Sequence, residues 1–492
     1  MAYDLRTLIK VALPEFTAEK YSIFTDRQLA EIQQLIKYAD YYDNNAFKYI
    51  EEVYPEYSIS ENTDYRPAQV PLNYSKLIVD KLASWQFEEN IDISVIAEKD
   101  NKTAKGQAKE AEDKLYEVNK ANNAGLKWLQ AAKECNIAGG VPIKLKYDED
   151  MKQVRILPRN MIECFPVMEF DDYEKMIRVH FCAFRDEKTI WKQTYELKDI
   201  GKGKKGCWFS EKLYDATNLK VEKIVAEYFL GKGKKLLDFI PVYIIPNMPS
   251  IGEIRGTSEL ADLIPIIDEI NRKYSDSSDA LRFEMFAITI LMNVKAFSSP
   301  GRPEDKVKRK PGAIWNVVGG PGDVKSDISK LESGFNYIDV LRYHLDSLKS
   351  LLFEFSGVIQ LEAERLKSVG NLSGVALKLL FASIISKTTQ KNTIWQPKLE
   401  QIYYDILKMK EVYEGYQIPE GIDIEIIMHT PVPQNELEEV QIAVQKISAG
   451  LSSVKREMSI AGVENPEELI IEIAKEQEAQ QKAMGDIYNE NG

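Results

Sequence analysis

Residues 256–292 read "GTSELADLIPIIDEINRKYSDSSDALRFEMFAITILM". Leu260, Leu263, Ile264, Ile267, Ile270 and Tyr274 recur by threes and fours and so share one stripe of a helix. Asp268, Glu269, Arg272, Lys273 and Asp276 fall off that stripe. Pro265 either kinks the helix or marks its true first turn, because proline lacks the N–H that a helix interior needs. A helix of about 30 residues would rise roughly 45 Å at 1.5 Å per residue. A short basic stretch rich in Gly and Pro follows, "SSPGRPEDKVKRKPGAIWNVVGGPGDV" (298–324). Then Phe335, Ile338, Leu341, Leu345, Leu348, Leu352 and Phe355 mark a second long helix. Two long helices bracketing a compact basic tip make a stalk, which suits an elongated subunit packed sideways against copies of itself.

The stretch that closes the tip, "GGPGDVKSD" (319–327), has the look of a phosphate loop but not its spacing. Lys325 and Ser326 follow Val324, and no pair of its glycines restores the register that lets backbone N–H groups wrap a phosphate. It reads instead as a Gly-Pro-Gly turn that opens a helix at Asp327.

Upstream, residues 1–140 read as mostly helical. "NYSKLIVDKLASWQFEENIDISVI" (73–96) is a helix ending near Trp85 and running into a strand, and Gly139 and Gly140 stop a charged helical pair. The period then becomes two: "VPIKLKYDEDMKQVRILP" (141–158) is a hairpin turning at Asp148–Asp150, and further strands fall at 161–167, 175–184, 189–196, 220–228 and 239–245. The clusters "GKGKKG" (201–206) and "GKGKK" (231–235) lie between strands and read as solvated hairpin tips. Downstream, "SGVIQLEAERLKSVGNLSG" (356–374) suits a loop. A long helix follows, with Asn371 or Ser373 as cap and Pro397 as a kink, and then a strand in "GIDIEIIMHT" (421–430). From about 432 the chain reads as helical and acidic, with twelve Asp or Glu against five Lys or Arg.

Composition bounds the function. The 492 residues are 44% hydrophobic and 29% charged, which is ordinary for a globular chain. The net charge of −13 opposes tight nucleic-acid binding, since cation–phosphate contacts supply most of such affinity, yet it permits nucleic acid to slide past. Four cysteines without a C-x-x-C pair and three scattered histidines give no zinc site or disulfide framework. We read no secretory signal, membrane span, G-x-S-x-G elbow, H-E-x-x-H motif or dinucleotide fingerprint, and expect no enzymatic activity and no cofactor or metal.

"YADYYDNN" (38–45), "NYSKLIVDKLASW" (73–85), the hairpin at 141–157, the 256–279 stretch and "GNLSGVALKLLF" (370–381) together resemble the portal proteins of tailed bacteriophages, particularly siphovirus-type phages of Gram-positive bacteria. Gly256, Ser258, Leu263, Asp268, Asn271, Ser275 and Asp276 carry the strongest part of it, followed by Asn371, Ser373, Gly374 and Ala376. The resemblance covers most of the chain and thins near its end. Members often have glycine where this chain has Asn44 and Asn45, and again where it has Glu88.

The resemblance implies an α+β, predominantly helical portal fold assembled as a ring of about twelve subunits. The wing would span 1–255, its β-rich part falling at about 141–247. Stem helices at 256–292 and 327–355 would flank a clip at 293–326. A tunnel loop at 356–371, a wing helix with its following strand at 372–431, and a helical crown at 432–492 would complete the subunit. It also implies a structural virion component at one capsid vertex, assembled in the host cytoplasm, that conducts double-stranded DNA without sequence specificity and joins head to tail. Terminase, capsid or scaffold protein and a head-completion adaptor would be its partners. The tunnel-loop residues Glu362, Glu364, Arg365 and Lys367 would face DNA. Arg302, Lys306, Lys308, Arg309 and Lys310 would meet terminase or the adaptor, and the off-stripe charges from Asp268 to Asp276 would be stem channel candidates. A metal-dependent nucleic-acid-processing enzyme and another phage head or baseplate component are the alternatives.

Overall fold

The hydrophobic period changes at Gly139 and Gly140, and the architecture changes there too. The computed structural model describes residues 5–14, 22–59, 66–88, 90–98, 102–172, 174–285, 338–360, 379–429, 436–461, 466 and 469–475. Backbone strands between 288 and 331 are also described. Two compact units emerge, one of residues 1–360 with 383–431 and the other of 361–382 with 432–492.

The first unit begins with helices α1 (Leu5–Ala12), α2 (Ser22–Tyr42), α3 (Phe47–Val53) and α4 (Tyr74–Phe87). Strand β1 (Asp92–Ala97) and helices α5 (Lys102–Asn122) and α6 (Ala124–Ala138) follow. Asn73 caps α4 by accepting the Lys76 N–H at 2.9 Å. Asn44 takes the left-handed conformation, φ 67°, that an asparagine tolerates best after glycine, so it fills the turn after the paired tyrosines. Glu88 stays right-handed, and no glycine is required there.

Strands β2 (Gly140–Asp148) and β3 (Gln153–Pro158) form the expected hairpin. An antiparallel meander follows: β4 (Cys164–Met168), β5 (Met176–Phe184), β6 (Thr189–Gly201), β7 (Lys204–Asp215) and β8 (Val221–Phe229). Strand β7 was not legible in sequence. It mixes Lys, Gly, Ser and Glu, and its two faces are buried unequally along its length, so no clean alternation marks it. A small hairpin, β9 (Gly231–Lys232) with β10 (Lys235–Leu236), leads to β11 (Val242–Pro246), which pairs with β2.

Helix α7 covers Ile264–Met285, with Pro265 in its first turn. It is shorter than the sequence suggested, about 33 Å at 1.5 Å per residue. Residues Ile288–Met292, rich in β-branched side chains, form strand β12 instead of extending it. Strands β13 (Val294–Ser299), β14 (Arg302–Pro303), β15 (Asn316–Gly319) and β16 (Asp327–Leu331) follow. Asp327 therefore opens a strand, not a helix. β16 pairs with β12 at the base of the insert, and helix α8 starts only at Ile338 and runs to Ser356. Helix α9 (Ala382–Glu414) contains Pro397, and β17 (Ile422–Ile427) returns to pair with β1. In the second unit, helices α10 (Glu436–Ser448) and α11 (Val454–Ile460) are described, and Ser453 caps α11.

The core of the first unit forms where α4, α6 and α9 meet the sheets. Trp395 lies edge-on to Phe87 at 5.0 Å, and Trp128 donates to the Tyr403 hydroxyl, which in turn donates to Asn119. A backbone knot ties this core to α7. Gly139, left-handed at φ 75°, ends α6, and its carbonyl accepts the N–H groups of both Asn247 and Gly256. A Cβ on Gly256 would sit 1.8 Å from the Asn247 carbonyl oxygen, so only glycine fits. Three residues on, buried Glu259 meets Lys391 at 2.8 Å and Lys387 at 2.5 Å, while Asn247 donates to it at 3.0 Å. Burial alone would raise the Glu259 pKa. The two ammonium groups outweigh that and hold it at about 2.

A carboxyl whose folded pKa is depressed contributes stability above its ordinary value near 4.5, and the contribution is lost as pH falls towards about 2. Urea unfolding between pH 7 and 2.5 should show this acid limb. Glu259→Gln should flatten it and cost about 3–5 kcal/mol at neutral pH, because Lys391 is left buried without a counter-charge. An unchanged midpoint at pH 7 would show that the pair adds nothing to stability.

Candidate functional site

Helix α7 is held along its length by an extended segment, residues 66–72. The Asn271 Oδ1 accepts the Leu72 N–H at 2.9 Å and the Ser275 Oγ accepts the Val70 N–H at 3.1 Å. The two Asp279 carboxylate oxygens accept the Ala68 N–H at 3.1 and 3.0 Å. Arg282 completes the row by donating to the Arg66 carbonyl at 3.0 Å. The acceptors stand four residues apart on the helix and the donors two apart on the extended chain. Four helical residues advance about 6.0 Å and two extended residues about 6.6 Å, so the repeats nearly match. The helix thereby plays the part of a neighbouring strand, with side chains supplying the acceptors. Asn271 and Ser275 are fully buried.

Aromatic residues from the N-terminal helices flank this row. The Tyr41 hydroxyl donates to Asp268 at 2.7 Å, and the Tyr57 hydroxyl donates to Asp276 at 2.7 Å. Burial raises both tyrosine pKa values, and the neighbouring carboxylates raise them further. Asp268 is itself pushed up by burial, although the Tyr41 bond partly opposes this. Arg272 pairs with Glu269 and lies 3.9 Å over the Tyr54 ring.

A family model described as "Phage portal protein, SPP1 Gp6-like" matches residues 22–483. The chain belongs to the phage portal protein family. No curated protein matches it. The family is one of structural proteins of bacteriophages, and among the described residues no cluster of three or more His, Cys, Asp or Glu could hold a metal ion. No described helix is long and apolar enough to cross a membrane.

The residues that carried the portal resemblance in sequence can now be given physical roles. Gly256 and Ser258 belong to the knot before α7, Leu263 is core, Asn271 and Ser275 grip the extended segment, and Asp268 and Asp276 receive tyrosine hydroxyls. The five stem channel candidates do come together, but as a network attached to their own subunit. Lys273 pairs with Glu269 at 3.7 Å and Asp276 at 3.3 Å, and His344 of α8 reaches Glu269 at 3.8 Å. Each of the five has a partner within the subunit, while Lys273 and Asp276 keep 31% and 46% of their side chains exposed. The tunnel-loop residues Glu362, Glu364, Arg365 and Lys367 lie outside the described residues, as do Lys306, Lys308, Arg309 and Lys310. Arg302 is described only as backbone in β14.

Asp279, Arg282 and the tyrosines were not legible as site residues in the sequence. The i, i+4, i+8 spacing of Asn271, Ser275 and Asp279 was the available signal. Removing one acceptor leaves a buried N–H unpaired, a penalty of about 1–3 kcal/mol. Asn271→Ala and Asp279→Ala should each lower the urea midpoint by that much and speed proteolytic cutting within 60–72. Asp279→Asn, which keeps one acceptor oxygen, should be milder than Asp279→Ala, and equal losses would show that the hydrogen bond is not what matters.

Proposed function

We propose that the chain is the subunit of a ring-shaped channel at one capsid vertex, through which terminase drives DNA inward during packaging and through which DNA later leaves, and which joins head to tail. The observation that carries this reading is the family match over nearly the whole chain, taken with the α7–α8 pair that leads to and from a strand-paired insert. On this reading residues 1–255 with 372–431 are the wing, α7 and α8 the stem, 293–326 the clip, 356–371 the tunnel loop and 432–492 the crown.

Helix α8 supports a ring. Leu345 and Leu352 are buried, and Leu341 and Leu348 half-buried, on one face. Tyr74 packs edge-on against Phe353, and Lys349 lies over Tyr274 at 5.3 Å. Ile338 and Phe355, expected on the same apolar stripe, are instead exposed. Phe355 joins Val340, Tyr343 and Leu351 in a second apolar row that is 40–78% exposed. Such a row in a single subunit is what a lateral neighbour would cover.

The acidic chain suits a conduit, because a strongly cationic lining would hold phosphates still. Arg365 and Lys367 supply a local grip on DNA, Glu362 and Glu364 limit adhesion, and the clip cations Arg302, Lys306, Lys308, Arg309 and Lys310 meet terminase or the adaptor. Packaging energy comes from the terminase motor, and the portal itself needs no cofactor.

Native mass spectrometry with negative-stain imaging tests the assembly: rings of about twelve subunits with a central hole are expected. Tyr343→Glu with Phe355→Glu should shift the population to monomers. Rings of unaltered stability would remove this row from the interface, and monomers from the wild-type chain at every salt concentration would undercut the ring. Arg365→Ala with Lys367→Ala should leave rings intact and reduce packaged DNA, and unaltered packaging would exclude those two residues from the mechanism.

A further inference from the structure

The two lysine-glycine clusters, about 30 residues apart in the chain, are hairpin tips as the sequence suggested, but the fold brings them to one place. The β6–β7 turn and the β9–β10 turn both border a cleft of about 1000 Å³ whose opposite wall is the second half of α9 and the residues leading into β17. Lys204, Lys205, Lys234 and Lys235 come from the tips and Lys408 from α9, against the carboxylates of Asp238, Glu411 and Glu420. In a chain of net charge −13 this is a local excess of positive charge. Lys235 reaches Glu411 at 3.6 Å and Lys408 reaches Asp405 at 3.2 Å. Lys204, Lys205 and Lys234 are exposed and meet no carboxylate within ion-pair distance among the described residues. The remaining lining is largely apolar and includes Phe239, Val412, Ile418 and Ile422.

We propose that this cleft docks an acidic segment of a partner protein, one that places carboxylates on the tip lysines and aliphatic side chains on the apolar floor. Charge complementarity selects the acidic partner, and two features favour a peptide over a nucleic acid. The lysines sit around an apolar floor rather than along a continuous track, which suits alternating acidic and aliphatic side chains better than a phosphate at every step. The aromatic rings present, Phe239 and Tyr404, already have the Lys408 ammonium over them at 5.2 and 5.1 Å, which competes with a base for that stacking face. The cleft's volume, at the upper end of the range for ligand sites, admits several side chains. Nothing in this assignment depends on ring formation or DNA passage.

The test is fluorescence anisotropy of the full-length protein with a labelled peptide of about ten residues alternating Glu and Leu. Single- and double-stranded oligonucleotides and a Glu/Ser peptide serve as comparison probes. Saturable binding is expected, weakened at least about tenfold by Lys204→Glu, Lys205→Glu and Lys234→Glu together, by raised salt, and by replacing Leu with Ser. Lys234 is exposed in a turn and Lys204 and Lys205 are exposed at the first two positions of β7, so thermal midpoint and assembly state should not change in the triple variant. Should those properties change, the single variant Lys234→Glu replaces it, with a smaller loss of affinity expected. The proposal is overturned if the peptide does not bind, if it binds equally to the charge-reversed protein, or if oligonucleotides bind the same lysines more tightly.

Discussion

The near-equality of two repeats, four residues of helix and two of extended chain, is what fixes α7 to its own subunit. The hydrogen bonds stay between 2.9 and 3.1 Å from Asn271 to Asp279, so the two repeats keep register along the row. Asn271 and Ser275, early in the row, present single acceptors to Leu72 and Val70, whereas Asp279 receives the Ala68 N–H on both of its oxygens. A carboxylate can take one donor on both of its oxygens, and Arg282, long and flexible, donates to the last carbonyl.

The other end of α7 is fixed by different means. The knot at Gly139, Asn247 and Gly256 uses backbone groups, and beyond it Glu259 is buried against two lysines of α9. A buried ion group of this kind gives little net stability compared with an apolar packing of the same volume, but it tolerates few other arrangements. Asn136 makes the geometry narrower still, since its side-chain oxygen accepts from Lys391 and its carbonyl accepts the Glu259 N–H. α7, α9 and the end of α6 are thereby tied to one another by groups that must all be present together. Such a network fixes the start of α7 in one position relative to α6 and α9.

The sequence carried the helical pair, the change of period at Gly139, the β2–β3 hairpin and the apolar stripe of α7, because each rests on periodicity or on glycine chemistry that acts locally. It did not carry β7, whose partners on both sides supply the order that its own composition lacks, nor the strand pair that shortens both long helices. Residues 288–292 and 327–331 are ambiguous alone and become strands by pairing across an insert. The site shows the same division. Asp268 and Asp276 were visible as charges off the apolar stripe, yet their partners Tyr41 and Tyr57 lie over 200 residues away in the chain, and only the fold shows that these carboxylates accept hydroxyl hydrogen bonds within the subunit.

Those partners within the subunit bear on what the stem can offer to DNA on the proposed assembly. With Asp268, Glu269, Arg272, Lys273 and Asp276 engaged within the subunit, α7 presents three carboxylates and two cations that are paired among themselves or with tyrosine hydroxyls, and α8 presents apolar residues on both of its broad faces. A helix whose second apolar row faces solvent is unfinished as a monomer. Covering that row by a neighbour would complete the stem through contacts that do not involve the charges of α7. Assembly and DNA passage would then depend on separate sets of residues, so a subunit could keep its lateral packing while the loop and tip cations change.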